Sequence, residues 1–171
     1  MNSAFPHDRF DDLLAANSEY QKQFKYSDLT GQAKKGLAIV TCMDSRINPL
    51  SVVGMRSGDA KILRNAGARV TEDVLRTLVL ATYLLNVDRI LVMPHTDCRM
   101  AKGDESEIHD LIERDHGVDT RSLEFRTVSD QMGALATDVQ RVRSYPLLPK
   151  SVAVGGAIYD VKTGAITAVE C

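Results

Sequence analysis

The stretch GLAIVTCMDSR, residues 36–46, decides how this chain folds. It begins with a short apolar run, rich in β-forming residues and bounded by a glycine and a polar loop, which is the pattern of a buried strand. The run ends at Cys42, and Asp44 and Arg46 follow at alternate positions. A buried structural thiol needs no charged neighbours, whereas a metal ligand does. The stretch therefore predicts a strand with functional groups at its carboxyl end.

A second stretch, DRILVMPHTDC at residues 88–98, repeats this arrangement. Its apolar residues predict another strand, which leads directly into His95 and Cys98. In open α/β sheets, ligands collect outside the carboxyl ends of the parallel strands. If the two strands are neighbours, His95 and Cys98 therefore meet Cys42 in one crevice.

The remainder of the chain alternates predicted helices and strands. Thr71 and Ser129 read as helix N-caps, and Gly117 and Pro146 read as helix stops. The predicted helices lie at 10–24, 71–86, 105–117 and 129–145, and the further strands at 60–67, 151–160 and 165–170. The helix at 71–86 is apolar around most of its circumference, so we expect it to be well buried. The order predicts an α/β fold: a mainly parallel sheet of about four strands flanked by helices, with a C-terminal hairpin strand.

The composition suits one water-soluble domain, with 171 residues, 44 % of them hydrophobic, and a formal net charge of −2. This charge gives no reason to expect nucleic acid or an anionic membrane as a partner. The sequence shows no signal-peptide pattern and no apolar run of roughly 20 residues, so we expect a cytoplasmic protein. Three cysteines make a disulfide framework unexpected. We expect Cys171 to be exposed and His7, His109 and His116 to be solvated surface residues.

Two thiolates and one imidazole form a ligand set found in catalytic zinc sites, where a fourth position stays open to water. Sulfur ligands disfavour hard cations such as Mg²⁺ and Ca²⁺. In an extended segment, Asp44 points to the same side as Cys42, close enough to bind the metal or to accept a proton from its water. Arg46 can hold the same carboxylate through two hydrogen bonds. Two states follow, with Asp44 either on the metal or on Arg46.

Each motif also has a plainer interpretation. Residues 42–46 can be a strand end followed by a turn, and residues 95–98 can be structural without any metal. Together, after two predicted strands of one sheet, the motifs favour a metal site. The intervening RNAG at 64–67 is either a tight loop that only redirects the chain or a loop whose backbone N–H groups face the crevice. In the second case Ala66 and Gly67 are candidate substrate-binding residues.

With these motifs the chain resembles the β-class carbonic anhydrases. CMDSR at 42–46 matches the family's first motif and HTDC at 95–98 its second, with RNAG between them. GGAIYDVKTG at 155–164 resembles the late strand and hairpin of the family. The resemblance covers about residues 34–170 and favours the compact bacterial and archaeal branch.

This resemblance implies zinc bound by Cys42, His95 and Cys98, with Asp44 as an exchangeable fourth ligand and Arg46 as the partner of Asp44. It implies that Asp44 and Arg46 are the catalytic residues. The implied reaction is the reversible hydration of carbon dioxide to bicarbonate and a proton by zinc-bound hydroxide.

The resemblance also bears on organisation. It implies a four-stranded parallel core within a single domain over residues 1–171. Residues 1–33 are then an N-terminal helical arm that reaches another subunit, and the protein is a homodimer or a tetramer.

One residue departs from the family pattern, because Arg99 stands where a glycine usually follows the second cysteine. Its side chain can shape the pocket, hold an anion or point to solvent, so substrate preference stays open. A close branch of the family hydrolyses carbonyl sulfide or carbon disulfide with the same ligand set. A non-catalytic protein with Asp44 permanently on zinc is a third possibility, and a thiol redox protein is disfavoured because the chain has no CxxC motif.

Overall fold

The computed structural model describes residues 5–171. It contains two compact units, one that extends to Thr30 and one that comprises Gly31–Cys171. The motifs singled out above all lie in the larger unit. No helix in the described part of the chain is long and apolar enough to cross a membrane.

The N-terminal unit contains the helix α1, His7–Gln21. The predicted helix at 10–24 therefore exists but begins and ends earlier. Pro6 stands at the N-cap, directly before the first helical residue. After the helix, the N–H of Lys22 donates to the carbonyl oxygen of Glu19, three residues earlier. This 3₁₀-type hydrogen bond closes the last turn.

A five-stranded sheet forms the centre of the larger unit, in the order β2-β1-β3-β4-β5. The strands are β1 Leu37–Cys42, β2 Ala60–Asn65, β3 Arg89–Met93, β4 Ala153–Tyr159 and β5 Ile166–Val169. The first four pair in parallel, and β5 runs antiparallel to β4. The predicted fold, a mainly parallel sheet with a C-terminal hairpin strand, is confirmed.

The larger unit has four helices and two single turns of 3₁₀ helix. The helices are α2 Pro49–Val52, α3 Glu72–Leu84, α4 Glu105–His116 and α5 Gln131–Arg143, and the 3₁₀ turns are Ala66–Ala68 and Arg99–Ala101. The three long helices were predicted. The helix α2 was not predicted, because a four-residue helix is too short to show a hydrophobic period.

Helix ends follow the predicted cap and stop signals at three of four positions, and one of these is α5, which ends at Arg143, shortly before Pro146. The side chain of Thr71 accepts a hydrogen bond from the N–H of Val74 at the start of α3, and Gly117 ends α4 in the left-handed conformation, at φ 67°. The prediction of Ser129 as an N-cap was wrong. Asp130 occupies that position in α5, so Ser129 lies one residue outside the helix start and its hydroxyl does not cap.

The prediction that α3 is well buried holds for one face of the helix and not for the other. One face packs into the core through Val74, Leu75, Leu78 and Ala81. The opposite face carries exposed apolar side chains, Leu80, Tyr83 and Leu84. A single sheet face covers one stripe of a helix, and nothing in the larger unit buries the other side.

His109 was predicted to be a solvated surface residue, and this was wrong. Its side chain is buried, with Nδ1 2.8 Å from the hydroxyl of Thr120 and the ring 5.0 Å from that of Phe125, centroid to centroid. The segment after α4 therefore packs against the helix and covers the imidazole. His7 and His116 are exposed as predicted, and so is Cys171.

The central position of β1 places its carboxyl end between two neighbouring strands. All six residues of β1 are buried, because β2 and β3 flank the strand and its apolar side chains belong to two core clusters, one on each face of the sheet. Cys42 is in register with Asn65 of β2, and Thr41 is in register with Met93, the last residue of β3. The strand β3 ends earlier than predicted because Pro94 has no N–H to continue the ladder. The segment 94–98 is therefore a loop directly beside Cys42.

Candidate metal centre

Three candidate ligands meet at the carboxyl ends of β1 and β3. One ligand atom from each of Cys42, His95 and Cys98 lies within 4.8 Å of the others, and the two sulfur atoms are 4.0 Å apart. All three side chains are buried, and His95 has no exposed surface at all. Such a compact set of two sulfurs and one imidazole fits a soft or borderline divalent cation.

The hydrogen bonding of His95 leaves one ring nitrogen directed into this cluster. Its Nδ1 is 2.8 Å from the backbone oxygen of Thr96, and a carbonyl can only accept, so Nδ1 carries the proton. The other nitrogen, Nε2, is buried without a hydrogen-bond partner. Buried polar atoms normally have partners, and an unprotonated imidazole nitrogen is a metal ligand. The amide of Gln131 also donates to the backbone oxygen of His95, at 2.8 Å, which holds the loop in place.

The two thiols are paired, so one of them ionises much more readily. A hydrogen bond from Cys98 is the main cause that lowers the pKa of Cys42, against the effect of burial. The backbone N–H groups of Asp44 and Gly67 lower the same pKa further. The shared hydrogen bond, together with burial, raises the pKa of Cys98 above its ordinary value. A divalent cation in place of the shared proton would hold both sulfurs as thiolates.

Asp44 and Arg46 form the bidentate pair that their spacing suggested. The guanidinium donates from Nε to Oδ1 at 3.0 Å and from Nη2 to Oδ2 at 2.7 Å. The side-chain and backbone hydrogen bonds from Arg46 hold the pKa of Asp44 well below its usual range. The Oδ2 atom of Asp44 is also 3.7 Å from Nε2 of His95. The carboxylate thus lies at the edge of the ligand cluster while Arg46 holds it.

The turn after β2 forms one wall of the cluster. Ala66 and Gly67 begin a 3₁₀ turn in which Gly67 has φ 77°, a conformation that glycine adopts without strain. A Cβ atom at Gly67 would lie 3.2 Å from the Cβ of Met100, so the position is also tightly packed. The N–H of Gly67 is among the groups that lower the pKa of the Cys42 thiol. The backbone of RNAG therefore faces the crevice at Gly67, while Ala66 is half-buried at the start of the turn.

Two residues that were not predicted to belong to the site support this arrangement. Asp97 accepts a hydrogen bond from Nη1 of Arg46 at 2.9 Å, and its own pKa is lowered to about 2 by Lys102 and Arg46. Arg64 donates to the backbone oxygens of Cys42 and Asp44. Both residues lie inside motifs quoted above, HTDC and RNAG. Their positions therefore indicated that they are near the site, but the sequence did not indicate which groups they bind. Gln131 carried no signal, because it is remote in sequence from His95.

Arg99, the departure from the family pattern, does not line the cluster. Its side chain is exposed, and Nη1 donates to the backbone oxygen of Lys102 at 2.7 Å. The guanidinium therefore closes a local turn after Cys98. Of the three possibilities raised by the sequence, the structure supports a side chain on the solvent side.

Comparison with known proteins gives consistent matches. A family model described as carbonic anhydrase matches residues 37–166. β-Carbonic anhydrase 1 of Mycobacterium tuberculosis is 33% identical over 160 residues, which cover 93% of this chain and 96% of the relative. A carbon disulfide hydrolase of Saccharolobus solfataricus is 33% identical over 153 residues, covering 74% of each protein. The crystal structure of a carbonic anhydrase from Streptococcus mutans superposes with a TM-score of 0.88 at 36% identity, covering 98% of this chain and 99% of that one.

Proposed function

Because this chain belongs to the β-class carbonic anhydrase family, we propose that it is a zinc enzyme that catalyses the reversible hydration of carbon dioxide to bicarbonate and a proton. The observation that carries the proposal is the buried, unpartnered Nε2 of His95 beside the two sulfur atoms. A metal ion satisfies that nitrogen, whereas a purely structural histidine would leave it without a partner at a cost in stability.

We assign the metal ligands as Cys42, His95 and Cys98, with Asp44 as the exchangeable fourth ligand. The donor set suits Zn²⁺ and is too rich in sulfur for Mg²⁺ or Ca²⁺. When bound, zinc acts as a Lewis acid that lets water ionise near neutral pH. The hydrogen bond from Nδ1 of His95 to Thr96 fixes the ring, and it leaves Nε2 free to hold the ion.

The remaining roles fall to charged and backbone groups around the cluster. Arg46 holds Asp44 as a carboxylate through two hydrogen bonds, which keeps its oxygen atoms available as acceptors. Asp44 can then accept a hydrogen bond from the attacking water and orient it. We assign Ala66 and Gly67 to the substrate side of the crevice, since the backbone of this turn faces Cys42.

The test is stopped-flow measurement of carbon dioxide hydration with protein of known zinc content, from about pH 6.5 to 9, the range around the ionisation of zinc-bound water. We expect turnover that depends on bound zinc and rises with pH, because two thiolates neutralise the ion and leave its water less acidic than three histidines would. Fully zinc-loaded protein without turnover at any pH in this range would reject the proposal.

A second candidate function is the hydrolysis of carbon disulfide or carbonyl sulfide, supported by the similarity to the carbon disulfide hydrolase. Both are linear triatomic molecules like carbon dioxide, so the ligand set alone does not discriminate among them. Release of hydrogen sulfide from either gas, measured beside carbon dioxide hydration on one zinc-quantified preparation, separates the two functions. We expect carbon dioxide to be the better substrate. A closed, non-catalytic zinc module is disfavoured, because a purely structural site gains nothing from a carboxylate that a neighbouring arginine, Arg46, can hold away from the ion.

We further propose a cytoplasmic homodimer or tetramer in which residues 1–171 act as one domain and residues 1–33 as an N-terminal arm. Support comes from the family resemblance and from the exposed apolar face of α3. Light scattering coupled to gel filtration tests the assembly. A mass of two or four chains of 18.8 kDa is expected, and a monomer would reject this part of the proposal.

A further inference from the structure

The guanidinium of Arg46 is held by two carboxylates, not one. Its Nε and Nη2 atoms bond to Asp44, while Nη1 donates to Oδ2 of Asp97 at 2.9 Å. Nη2 also donates to the backbone oxygen of Asp97, at 3.1 Å. All three nitrogen atoms of the planar group are therefore in use, and the plane has one orientation that satisfies both sides.

Asp97 is itself fixed from two directions. Its Oδ1 atom is bonded to the ammonium of Lys102, so the carboxylate lies between two cations. Its backbone has φ 55°, which lies in the left-handed region that only a few non-glycine residues adopt. Asp97 therefore lies in the turn of the chain between His95 and Cys98. Its carboxylate is carried by the same loop as these two candidate ligands.

We propose that Asp97 is a positioning residue that holds Arg46 in the orientation that grips Asp44, and so sets the fraction of molecules in which Asp44 is off the metal. This inference rests on the proposed zinc site. Asp44 touches the ligand cluster, whereas Asp97 acts only through Arg46.

The geometry gives the direction of the effect. Oδ2 of Asp44 is already 3.7 Å from Nε2 of His95, so a small movement carries the carboxylate onto an ion bound by that nitrogen. Without the bond to Nη1, the guanidinium can rotate away from the two-pronged contact with Asp44. The carboxylate then spends more time on the metal and competes with any ligand for the open position.

The test uses the cobalt-substituted protein, because Co²⁺ reports its coordination in the visible spectrum without any turnover. The variant is Asp97→Asn, since asparagine tolerates the left-handed backbone and removes only the charge. Arg46→Met supplies the reference spectrum for a protein in which nothing holds Asp44 off the metal. Asp119→Asn is the matched control, because Asp119 also accepts a hydrogen bond from an arginine, Arg121, on the surface.

Thiocyanate is the probe for the open position. We expect Asp97→Asn to bind it roughly fivefold more weakly than the unaltered protein, the scale on which partly exposed ion pairs act. Apparent affinity falls with the fraction of open sites, so the spectrum should shift part of the way toward that of Arg46→Met. Asp119→Asn should change neither measurement. In the double variant, Asp97→Asn should add nothing to Arg46→Met, because its action passes through the arginine.

Three results would overturn the inference. The first is an unchanged spectrum and thiocyanate affinity in Asp97→Asn. The second is an effect of the same size when Arg46 is already removed. The third is loss of cobalt from Asp97→Asn, which would make Asp97 necessary for metal retention instead of for the position of Arg46. Failure of the zinc proposal looks different, because the unaltered protein would then bind no cobalt or hydrate no carbon dioxide.

Discussion

Cys42 lies where a buried strand ends, and its sulfur atom faces both another thiol and the free nitrogen of a histidine. Replacement by serine keeps the size of the side chain but removes the soft thiolate that zinc prefers. We expect Cys42→Ser to retain less than about a tenth of its zinc after desalting, and turnover to fall in proportion. The measurement is zinc per chain by elemental analysis.

Cys171 provides the matched control for that experiment, since it is exposed and lies outside the ligand cluster. Cys171→Ser should retain full zinc content and activity. A fully loaded and active Cys42→Ser protein would contradict the ligand assignment. Equal zinc loss in both variants would show that cysteine chemistry elsewhere in the chain affects the metal.

Asp44 differs from the three buried ligand candidates because its carboxylate forms a salt bridge with the guanidinium of Arg46. In Asp44→Asn the side chain keeps its shape, but the neutral amide no longer pairs with the guanidinium as an anion. We expect zinc content to be unchanged and turnover to fall about 100-fold, the scale of a lost proton acceptor. Combined metal analysis and stopped-flow assay check this. Near-normal turnover in Asp44→Asn would reject the catalytic role.

Local sequence patterns predicted the convergence of Cys42, His95 and Cys98, because all three lie at or just after the ends of strands, and parallel strands present their carboxyl ends on one side. The same patterns did not reveal Asp97 as a partner of Arg46. That contact depends on a left-handed residue in a loop and on the distance between two loops. Gln131 was equally hidden, since its bond to His95 arises only when α5 packs beside the sheet.

At the scale of elements, a buried ion pair joins α5 to the turn after β2. Nε of Arg69 donates to Oδ2 of Asp138 at 2.7 Å, and only 5% of the aspartate side chain is exposed. Asp138→Asn leaves the guanidinium, itself 18% exposed, without its counter-ion. We expect a loss of about 3 kcal/mol in the free energy of unfolding, measured with urea.

An exposed pair of the same chemistry is the control. Asp73 and Arg76 are paired within α3, with most of both side chains in solvent. Asp73→Asn should cost less than about 0.5 kcal/mol, because solvent already screens this pair. Equal costs for Asp138→Asn and Asp73→Asn would show that burial does not strengthen the contact between α5 and the turn.

Helix capping at α4 predicts a dependence of stability on pH. The side chain of Asp104 accepts hydrogen bonds from the hydroxyl of Ser106 and the N–H of Glu107, and these bonds lower its pKa. Ionised Asp104 therefore stabilises the native state above its unfolded pKa of about 3.9, and this contribution is lost as the pH falls through the lower folded value.

Urea unfolding of the unaltered protein and of Asp104→Asn at several pH values checks this expectation. The unaltered protein should be the more stable at neutral pH, and the difference should vanish at the lowest pH that the fold survives. Ser106→Ala, which removes the main cause of the lowered pKa, should show a smaller pH dependence. A stability difference that is constant with pH would contradict the capping argument.

Element types were readable from the sequence, whereas several boundaries and exposed faces were not. The apolar run of β1 and the caps at Thr71 and Gly117 are local signals, and the structure follows them. The exposed face of α3 was not predictable, because composition alone does not show which side of an apolar helix the sheet covers. Ser129 illustrates the usual limit on helix ends, which local signals place only to within one or two residues.

At the scale of the whole molecule, the proposed metal centre joins segments that are far apart in the sequence. Cys42 is the last residue of β1, while His95 and Cys98 follow β3, and α3 lies between the two strands in the sequence. A bound ion therefore links two strands of the sheet and favours the native state over the unfolded chain. Because the unfolded chain lacks the preformed site, zinc should raise the free energy of unfolding as well as permit turnover.

The size of this effect follows from linkage. Free zinc at 100 times its dissociation constant adds about 2.7 kcal/mol, which for a chain of this length corresponds to a rise in Tm of about 5–10 °C. Thermal unfolding of chelator-treated protein, before and after zinc is restored, gives the measurement. Cys42→Ser should unfold at one temperature with or without zinc, because it lacks the complete ligand set. If zinc does not change the Tm of the unaltered protein, the three buried groups do not hold the ion in the folded state, and this conclusion is independent of the activity assay.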